Sequence, residues 1–390
     1  MEKFNYYIPT RIIFGAGALK KLAKQALPGK KALIVTTNGR SVIKYGYLDQ
    51  LAGQLKEAGI ESLVYPKILP NPTKESVMEG ARLCRENGVD FVIGLGGGSA
   101  IDAAKAIAVM ATNPGDYWDY MASGSGKKMQ VQHAPLPVVA ITTTAGTGTE
   151  ADPWMVVTKT ETNEKTGFGF DQTFPVLAVV DPELMRTVPP FLTACQGFDA
   201  LFHSMEGYLN KYHNVMSDLY AFKAVALIGE SLSTAVTDGN NLEARGNVAL
   251  ANTLSGMVES TSGCISEHSL AHALAAYHPN LEHGAALITV SVPYYTFLAE
   301  SGACNARMIQ LAKALGEEDA SCAMDLVTAL LKLQKACGVD NIQLREYGVE
   351  ADAISKYADN ARETMGGLFA GDPAEIGREA VIGILQKAVR

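Results

Sequence analysis

Asp90-Phe91-Val92-Ile93-Gly94-Leu95-Gly96-Gly97-Gly98-Ser99-Ala100-Ile101-Asp102 runs from an apolar stretch, through a glycine cluster, into a helical pattern. Residues 90–95 predict a buried strand and residues 100–110 the helix that follows it. Glycine tolerates positive φ and lets the backbone approach a ligand with no Cβ in the way. A helix starting near Ser99 would aim free N–H groups and its positive dipole end at a phosphate, with Gly97, Gly98 and Ser99 in the turn. Asp102 falls in the first turn, where a carboxylate suits the dipole and is placed to accept from a ligand hydroxyl or amide. The spacing is G-x-G-G-G-S, not the G-x-G-x-x-G fingerprint, and it follows a third or fourth strand, not the first.

The same grammar extends both ways from this turn. Residues 31–37 and 61–65 read as strands, 47–58 and 74–87 as amphipathic helices, and 138–142 as a further strand. Strands alternating with helices of this length predict βαβ units and a parallel sheet with right-handed crossovers. A second cluster, Thr142-Thr143-Thr144-Ala145-Gly146-Thr147-Gly148-Thr149-Glu150, also follows a strand. Its hydroxyls and glycines suit a ribose–pyrophosphate, and a polar loop bonded to its own backbone is the plain alternative. Both clusters sit at carboxyl ends of strands, where ligands of such sheets gather. Near Asp181-Pro182 the pattern changes. Residues 198–209, 217–235 and 305–315 are helical, and 286–292 is apolar enough for helix or strand. The expected architecture is an α/β dinucleotide-binding domain over residues 1–185, with a Rossmann-like parallel sheet, and an all-α metal-binding and substrate domain over 186–390.

Length and composition agree with two domains and a sizeable core: 390 residues, 47% hydrophobic and 19% charged. The net charge of -8 argues against a nucleic-acid or anionic-membrane surface, which needs clustered Lys and Arg. It leaves room for an anionic cofactor held by local backbone dipoles. MEKFNYYIPTRIIFG carries charge and Pro9 where a signal peptide needs an apolar run. No apolar stretch approaches the roughly 20 residues that span a bilayer. The six cysteines, Cys84, Cys195, Cys264, Cys304, Cys322 and Cys337, include no CxxC pair, which in such a chain reads as reduced thiols. A cytoplasmic protein is expected.

Histidine is the sharper clue. Six of the 7 histidines fall between His203 and His283, inside the helical half. Asp199 and His203 are four apart in GFDALFHSMEGYL, and His268 and His272 repeat that interval in EHSLAHALAAYH. Such an interval puts both members of a pair on one helix face, one turn apart. His283 follows in PNLEHG. Imidazoles with one carboxylate suit a borderline cation such as Fe²⁺ or Zn²⁺ at an open, catalytic site. A single helical histidine is more often a satisfied core or surface residue; two such pairs together point to a metal.

The chain resembles the iron-containing (group III) alcohol dehydrogenases along nearly its whole length. TRIIFGAGALKKL, GGGSAIDAAKAIA, ITTTAGTGTE, VVDPELM, GFDALFHSMEGYL and HSLAHALAAYHPNLEHG stand in that family's order and spacing. The resemblance implies that Asp199, His203, His268 and His283 ligate the ion, Fe²⁺ with Zn²⁺ as the alternative. It sets His272 beside the ion as the proton-relaying group. It implies pyrophosphate binding by Gly97, Gly98 and Ser99, with Asp102 nearby. Thr142, Thr143, Thr147 and the strand around Val179 would line the rest of the dinucleotide. The implied reaction is hydride transfer between nicotinamide C4 and a small or medium-chain primary alcohol or its aldehyde, in a homodimer.

Three departures stand out. The interval from His272 to His283 is one residue longer than in familiar branches, and His278 lies within it. Thr149 stands where Ser is common. Where NAD-using members carry an Asp after the first buried strand, this chain reads Thr37-Asn38-Gly39-Arg40. Without that carboxylate the main repulsion against a 2′-phosphate is gone, and Arg40 is placed to contact it, which favours NADP over NAD. The alternatives are a glycerol-dehydrogenase-like zinc polyol dehydrogenase, a dehydroquinate-synthase-like metal-dependent lyase, and a non-catalytic nucleotide-binding protein. The lyase needs Lys and Arg clustered around positions 199–283, which the sequence does not offer.

Overall fold

Continuous apolar runs become a sheet covered on both faces. The computed structural model describes residues 3–39 and 41–389, so Arg40 lies outside the described residues. Tertiary contacts divide the chain into two units. One is α/β and comprises Tyr7–Thr144 with Gly148–Thr187. The other is helical and runs from Val188 onward, together with Ala145–Thr147 and the residues up to Tyr6.

In the α/β unit the strands are β1 (Arg11–Phe14), β2 (Lys31–Thr37), β3 (Glu61–Ile68), β4 (Phe91–Gly96), β5 (Val138–Thr142), β6 (Met155–Lys159), β7 (Glu164–Phe168) and β8 (Leu177–Val180). Six of them form a parallel sheet in the order β1-β8-β5-β4-β2-β3, and β6 and β7 pair as a separate antiparallel hairpin. Its helices are α1 (Ser41–Lys44), α2 (Tyr47–Glu57), α3 (Lys74–Asn87) and α4 (Gly98–Thr112). Side chains alternate between faces along each strand. Leu33, Val35 and Val92 enter one core with Ala81, Ala104 and Ile107 of α3 and α4. Ala32, Ile34 and Ile93 enter the opposite core with Leu19, Leu22, Leu51 and Leu55. With both faces buried, the strands read as unbroken apolar runs and not as alternation. α4 lies so close to β4 that a Cβ on Gly94 would stand 2.8 Å from the Ile101 Cα. The chain steps from β2 to β3 on one side and reaches β4 on the other. The carboxyl ends flanking that reversal are where such a sheet opens its ligand crevice.

The helical unit carries α5 (Pro190–Leu209), α6 (Val215–Thr237), α7 (Leu242–Ser262), α8 (Ser266–Tyr277), α9 (His283–Ser301), α10 (Asn305–Ala314), α11 (Met324–Ala336), α12 (Ile354–Met365) and α13 (Arg378–Ala388). The ambiguous stretch 286–292 is helical, inside α9. α6 is 23 residues long and apolar enough, by length and composition alone, to cross a membrane, and half of its most apolar window is buried. The apolar-run criterion passes over it because Asp218, Lys223 and Glu230 interrupt the stretch. Its inner face carries Ala221, Ala224, Val225, Leu227, Ile228 and Leu232, all buried, as in the core helix of a bundle.

Candidate active site and metal centre

α5 brings a carboxylate and an imidazole to one face, as the four-residue interval requires. Asp199 Oδ1 is the common neighbour of three histidines. It lies 3.6 Å from His203 Nδ1, 3.5 Å from His268 Nε2 and 3.6 Å from His283 Nε2. The His203 and His268 rings are 4.2 Å apart between centroids, and those of His268 and His283 5.5 Å apart. α8 contributes His268, and the first turn of α9 contributes His283. The start of α9 reaches α5 because position 284 is glycine: a Cβ there would stand 2.0 Å from the Cys195 carbonyl oxygen. His272, one turn beyond His268, packs edge-on against His283 at 4.7 Å between centroids. His278 turns elsewhere, with Nε2 2.7 Å from the Tyr357 hydroxyl.

Two carboxylates at this cluster escaped the sequence reading. Glu206, fully buried on α5, hydrogen-bonds His268 Nδ1 with one oxygen. Its other oxygen accepts from the Ile265 N–H at 2.7 Å. Glu206 therefore fixes both the imidazole and the start of the helix that carries it. The available signal was the three-residue step from His203 to Glu206, which continues the Asp199–His203 face. Glu259 of α7 stands 3.6 Å from His203 Nε2. The next N–H of α8, that of Ser266, is taken by Asp372 Oδ1 at 3.0 Å.

Burial and the neighbouring His268 ring push His203 down to about 4, against the pull of Asp199, so its imidazole is neutral at pH 7. Burial opposes charge on His268, but Cys264, Glu206 and Asp199 outweigh it and hold His268 well above the ordinary histidine value. Glu267 is raised well above the carboxylate range by burial and the adjacent Glu206 charge. Asp199 Oδ1, His203 Nδ1 and His268 Nε2 are buried with no hydrogen-bond partner. Buried polar atoms are nearly always bonded, so convergent orphans mark a place for a missing partner. One carboxylate and three imidazoles fit a divalent cation.

The α/β unit presents the other expected site. Gly97 caps α4 with no side-chain hydrogen bond, so the leading N–H groups remain available to an anion. Ser99 Oγ accepts from the Asn71 N–H at 3.3 Å, and Asn71 Oδ1 in turn accepts from Lys165 Nζ at 2.7 Å. Lys165, only 4% exposed, is a cation near the glycine turn that the sequence reading passed over. Thr142 Oγ donates to the Thr144 carbonyl at 2.8 Å, and the Thr143 N–H to the Gly96 carbonyl at 2.9 Å. Thr37 ends β2, and Asn38 and Gly39 form the turn after it. Thr147 belongs to the helical unit.

Asp102 is engaged within the protein: Oδ1 accepts from the Thr149 hydroxyl at 2.7 Å and Oδ2 from the Val156 N–H at 3.0 Å. Burial raises it to about 6, with the Lys105 ammonium pulling the other way. Lys105 is itself fully buried and donates to Thr149 Oγ, to the carbonyls of Asp152 and Trp154, and to Asp152 Oδ1 at 3.0 Å. This network fastens the β6 end of the threonine loop to α4. The Val179 side chain is fully buried, in the same core as Ile141 and Leu95.

Comparison with known proteins places these features in one class, the nicotinamide-dependent oxidoreductases acting on CH–OH groups. Residues 9–182 match the family described as iron-containing alcohol dehydrogenase. Residues 193–389 match the C-terminal domain of the Fe-containing alcohol dehydrogenase family. The chain is 36% identical over 330 residues to alcohol dehydrogenase 4 of Schizosaccharomyces pombe, covering 84% of this chain and 76% of that protein. It is 34% identical over 371 residues to the NAD-dependent methanol dehydrogenase of Bacillus methanolicus, covering 93% and 94%. The crystal structure of an archaeal halo-thermophilic alcohol dehydrogenase from a Red Sea brine pool superposes with a TM-score of 0.93 at 34% identity over 100% of both chains. The chain belongs to the iron-containing alcohol dehydrogenase family. It is an alcohol dehydrogenase, and the lyase and polyol-dehydrogenase alternatives are not favoured.

Proposed function

We propose that the chain interconverts small or medium-chain primary alcohols and their aldehydes at a ferrous ion held by Asp199, His203, His268 and His283. The observation that carries this reading is the convergence of three imidazoles within 3.6 Å of Asp199 Oδ1. Bound there, the ion supplies Lewis acidity toward the substrate oxygen, and the dinucleotide gives or takes the hydride. The chain's own residues do the rest. Asp199 offsets part of the cation's charge. His203 offers a neutral ring. Both oxygens of Glu206 accept hydrogen bonds, so Glu206 holds a proton on His268 Nδ1 and leaves Nε2 facing the site, where a bound cation would take the place of the second proton that the raised metal-free ring keeps. His272, packed against His283, holds and passes the proton that the reaction releases or consumes. Gly97, Gly98 and Ser99 bind the pyrophosphate at the α4 N-terminus, with Thr142, Thr143 and Thr147 completing the loop.

The preferred cofactor in this reading is NADP, because Thr37-Asn38-Gly39-Arg40 supplies no carboxylate to repel a 2′-phosphate. The B. methanolicus relative is named for NAD, so the two cofactors must be compared directly. Five buried thiols and exposed Cys322, none of them paired, support a reducing compartment, the cytoplasm. We take the working unit to be a homodimer, as the family resemblance implies; light scattering on the purified protein tests it. One experiment addresses the rest. Metal-stripped protein is reloaded with Fe²⁺ or Zn²⁺ and assayed against an aldehyde series with NADH and with NADPH. Turnover that needs the metal and favours NADPH is the expected result. Metal-independent turnover refutes the site, and a preference for NADH refutes the cofactor assignment.

A further inference from the structure

Cys264 lies two residues before α8 and is 7% exposed. Its Sγ and one nitrogen each of His203 and His268 lie within 4.8 Å of one another. One ligand atom each of Asp199, His268 and His283 satisfies the same limit, so His268 belongs to both groups. His203 Nδ1 and His268 Nε2 are buried and unpartnered, on residues only 5% and 3% exposed. Two donor sets of different softness therefore meet at one imidazole. Carboxylate with imidazole suits Fe²⁺, whereas thiolate with imidazole selects thiophilic ions.

We propose that Cys264 with His203 and His268 forms a second donor set that takes a thiophilic divalent ion, Cd²⁺ or Zn²⁺, in place of the catalytic ion. The inference rests on the metal centre proposed above, because it borrows two of its histidines. On binding, a metal–sulfur bond forms and the S–H bond breaks, with its proton released to solvent; no electrons are transferred. Because His203 and His268 cannot serve both positions fully, the two ions compete. An ion drawn to Cys264 leaves Asp199 and His283 outside its coordination sphere, so thiophilic metals inhibit the enzyme and a chelator reverses the inhibition.

The test uses the full-length, metal-stripped protein with Cd²⁺ as probe, reading the near-ultraviolet cadmium–thiolate charge-transfer absorbance. The expected result is a band that saturates at one equivalent. It is lost in Cys264→Ser, in Cys264→Ala and in His203→Ala, and it is retained in His283→Ala. A band of equal size in the Cys264 variants overturns the proposal, since the thiolate would then be another cysteine such as exposed Cys322. X-ray absorption of the cadmium-loaded wild-type protein gives a second answer that needs no variant to fold: absence of a metal–sulfur path overturns the proposal. Fe²⁺-supported aldehyde reduction by the wild-type protein is run in parallel. Turnover without a Cys264-dependent band refutes this inference alone. A Cys264-dependent band without Fe²⁺-supported turnover refutes the proposed catalytic centre alone.

Discussion

Replacing Glu206 by Gln tests how the metal centre is oriented. Gln keeps the size of Glu but offers one acceptor and one donor, where the carboxylate offers two acceptors. Both acceptors are in use, one by His268 Nδ1 and one by the Ile265 N–H at 2.7 Å. If the amide oxygen keeps Ile265, its NH₂ faces His268 Nδ1, which must then give up its proton. The ring proton moves to Nε2, the atom that faces Asp199 Oδ1 at 3.5 Å, and blocks the lone pair the ion needs. If the amide is turned the other way, the Ile265 N–H loses its acceptor and the start of α8 loosens. Loss of such an outer partner costs about 10–100-fold in metal affinity, or roughly 1.4–2.8 kcal/mol at 1.4 kcal/mol per tenfold. The assay is chelator competition for Fe²⁺ or Co²⁺ on wild-type protein and Glu206→Gln, with circular dichroism to check the fold. Turnover at saturating metal is expected to fall much less than affinity, because the bound ion itself restores the Nε2 geometry. An affinity within threefold of wild type in a folded variant would refute the reasoning.

Other consequences are more local. His272→Ala lowers turnover on the order of 10²-fold while bound metal, measured by mass spectrometry, stays at the wild-type level; loss of metal would make His272 a ligand. Asp372 is raised to about 6 by burial, against an ordinary value of 3.8. A raised carboxyl favours the folded state below its unfolded value and loses that advantage as pH climbs through the folded one, so ionisation opposes folding at pH 8. Asp372→Asn retains the acceptor for Ser266 N–H and the Tyr294 hydroxyl. It is expected to be more stable than wild type at pH 8, by up to roughly 3 kcal/mol for a shift of about two pKa units, and to match it near pH 4; urea unfolding at both pH values decides. Gly94→Ala would place its Cβ 2.8 Å from the Ile101 Cα and cost about 1–3 kcal/mol through overpacking; an unchanged thermal midpoint would show that α4 can shift away from β4.

The parts of the fold that were legible in the sequence are those whose burial leaves a simple pattern along the chain. β2 and β5 occupy the expected 31–37 and 138–142, because strands buried on both faces leave continuous apolar runs. β1 is short and only half-buried at the sheet edge, and the β6–β7 hairpin mixes charge with apolar residues, so neither stands out by periodicity. α5 begins at Pro190, eight residues before the expected start at 198. Two consecutive prolines look like a break, but the first helical position needs no N–H and accepts Pro190. At the metal site, the i, i+4 histidine and aspartate pairs were legible because a helix converts that interval into adjacency. The Glu206–His268 pair was not, because the two come from different helices and only the tertiary fold joins them, and Cys264, though four residues before His268, lies outside α8, where helical spacing does not apply.

Asp102 and Asp199 illustrate the same distinction. A motif tells which residues occur together, whereas hydrogen-bond satisfaction tells which of their atoms are still available. Asp102 sits in the glycine motif, but Thr149 and the Val156 N–H occupy both oxygens, and its work is to hold the loop that follows β5. Asp199 looks no different in sequence, a carboxylate in a helix, yet Oδ1 is buried without a hydrogen bond while three imidazoles turn toward it. Burying a carboxylate with an unsatisfied oxygen costs several kcal/mol, unless a cation is there to take it. Two motifs of this chain thus carry carboxylates of different standing: both Asp102 oxygens accept hydrogen bonds, whereas Asp199 Oδ1 keeps its capacity for a cation, a difference that sequence spacing does not show.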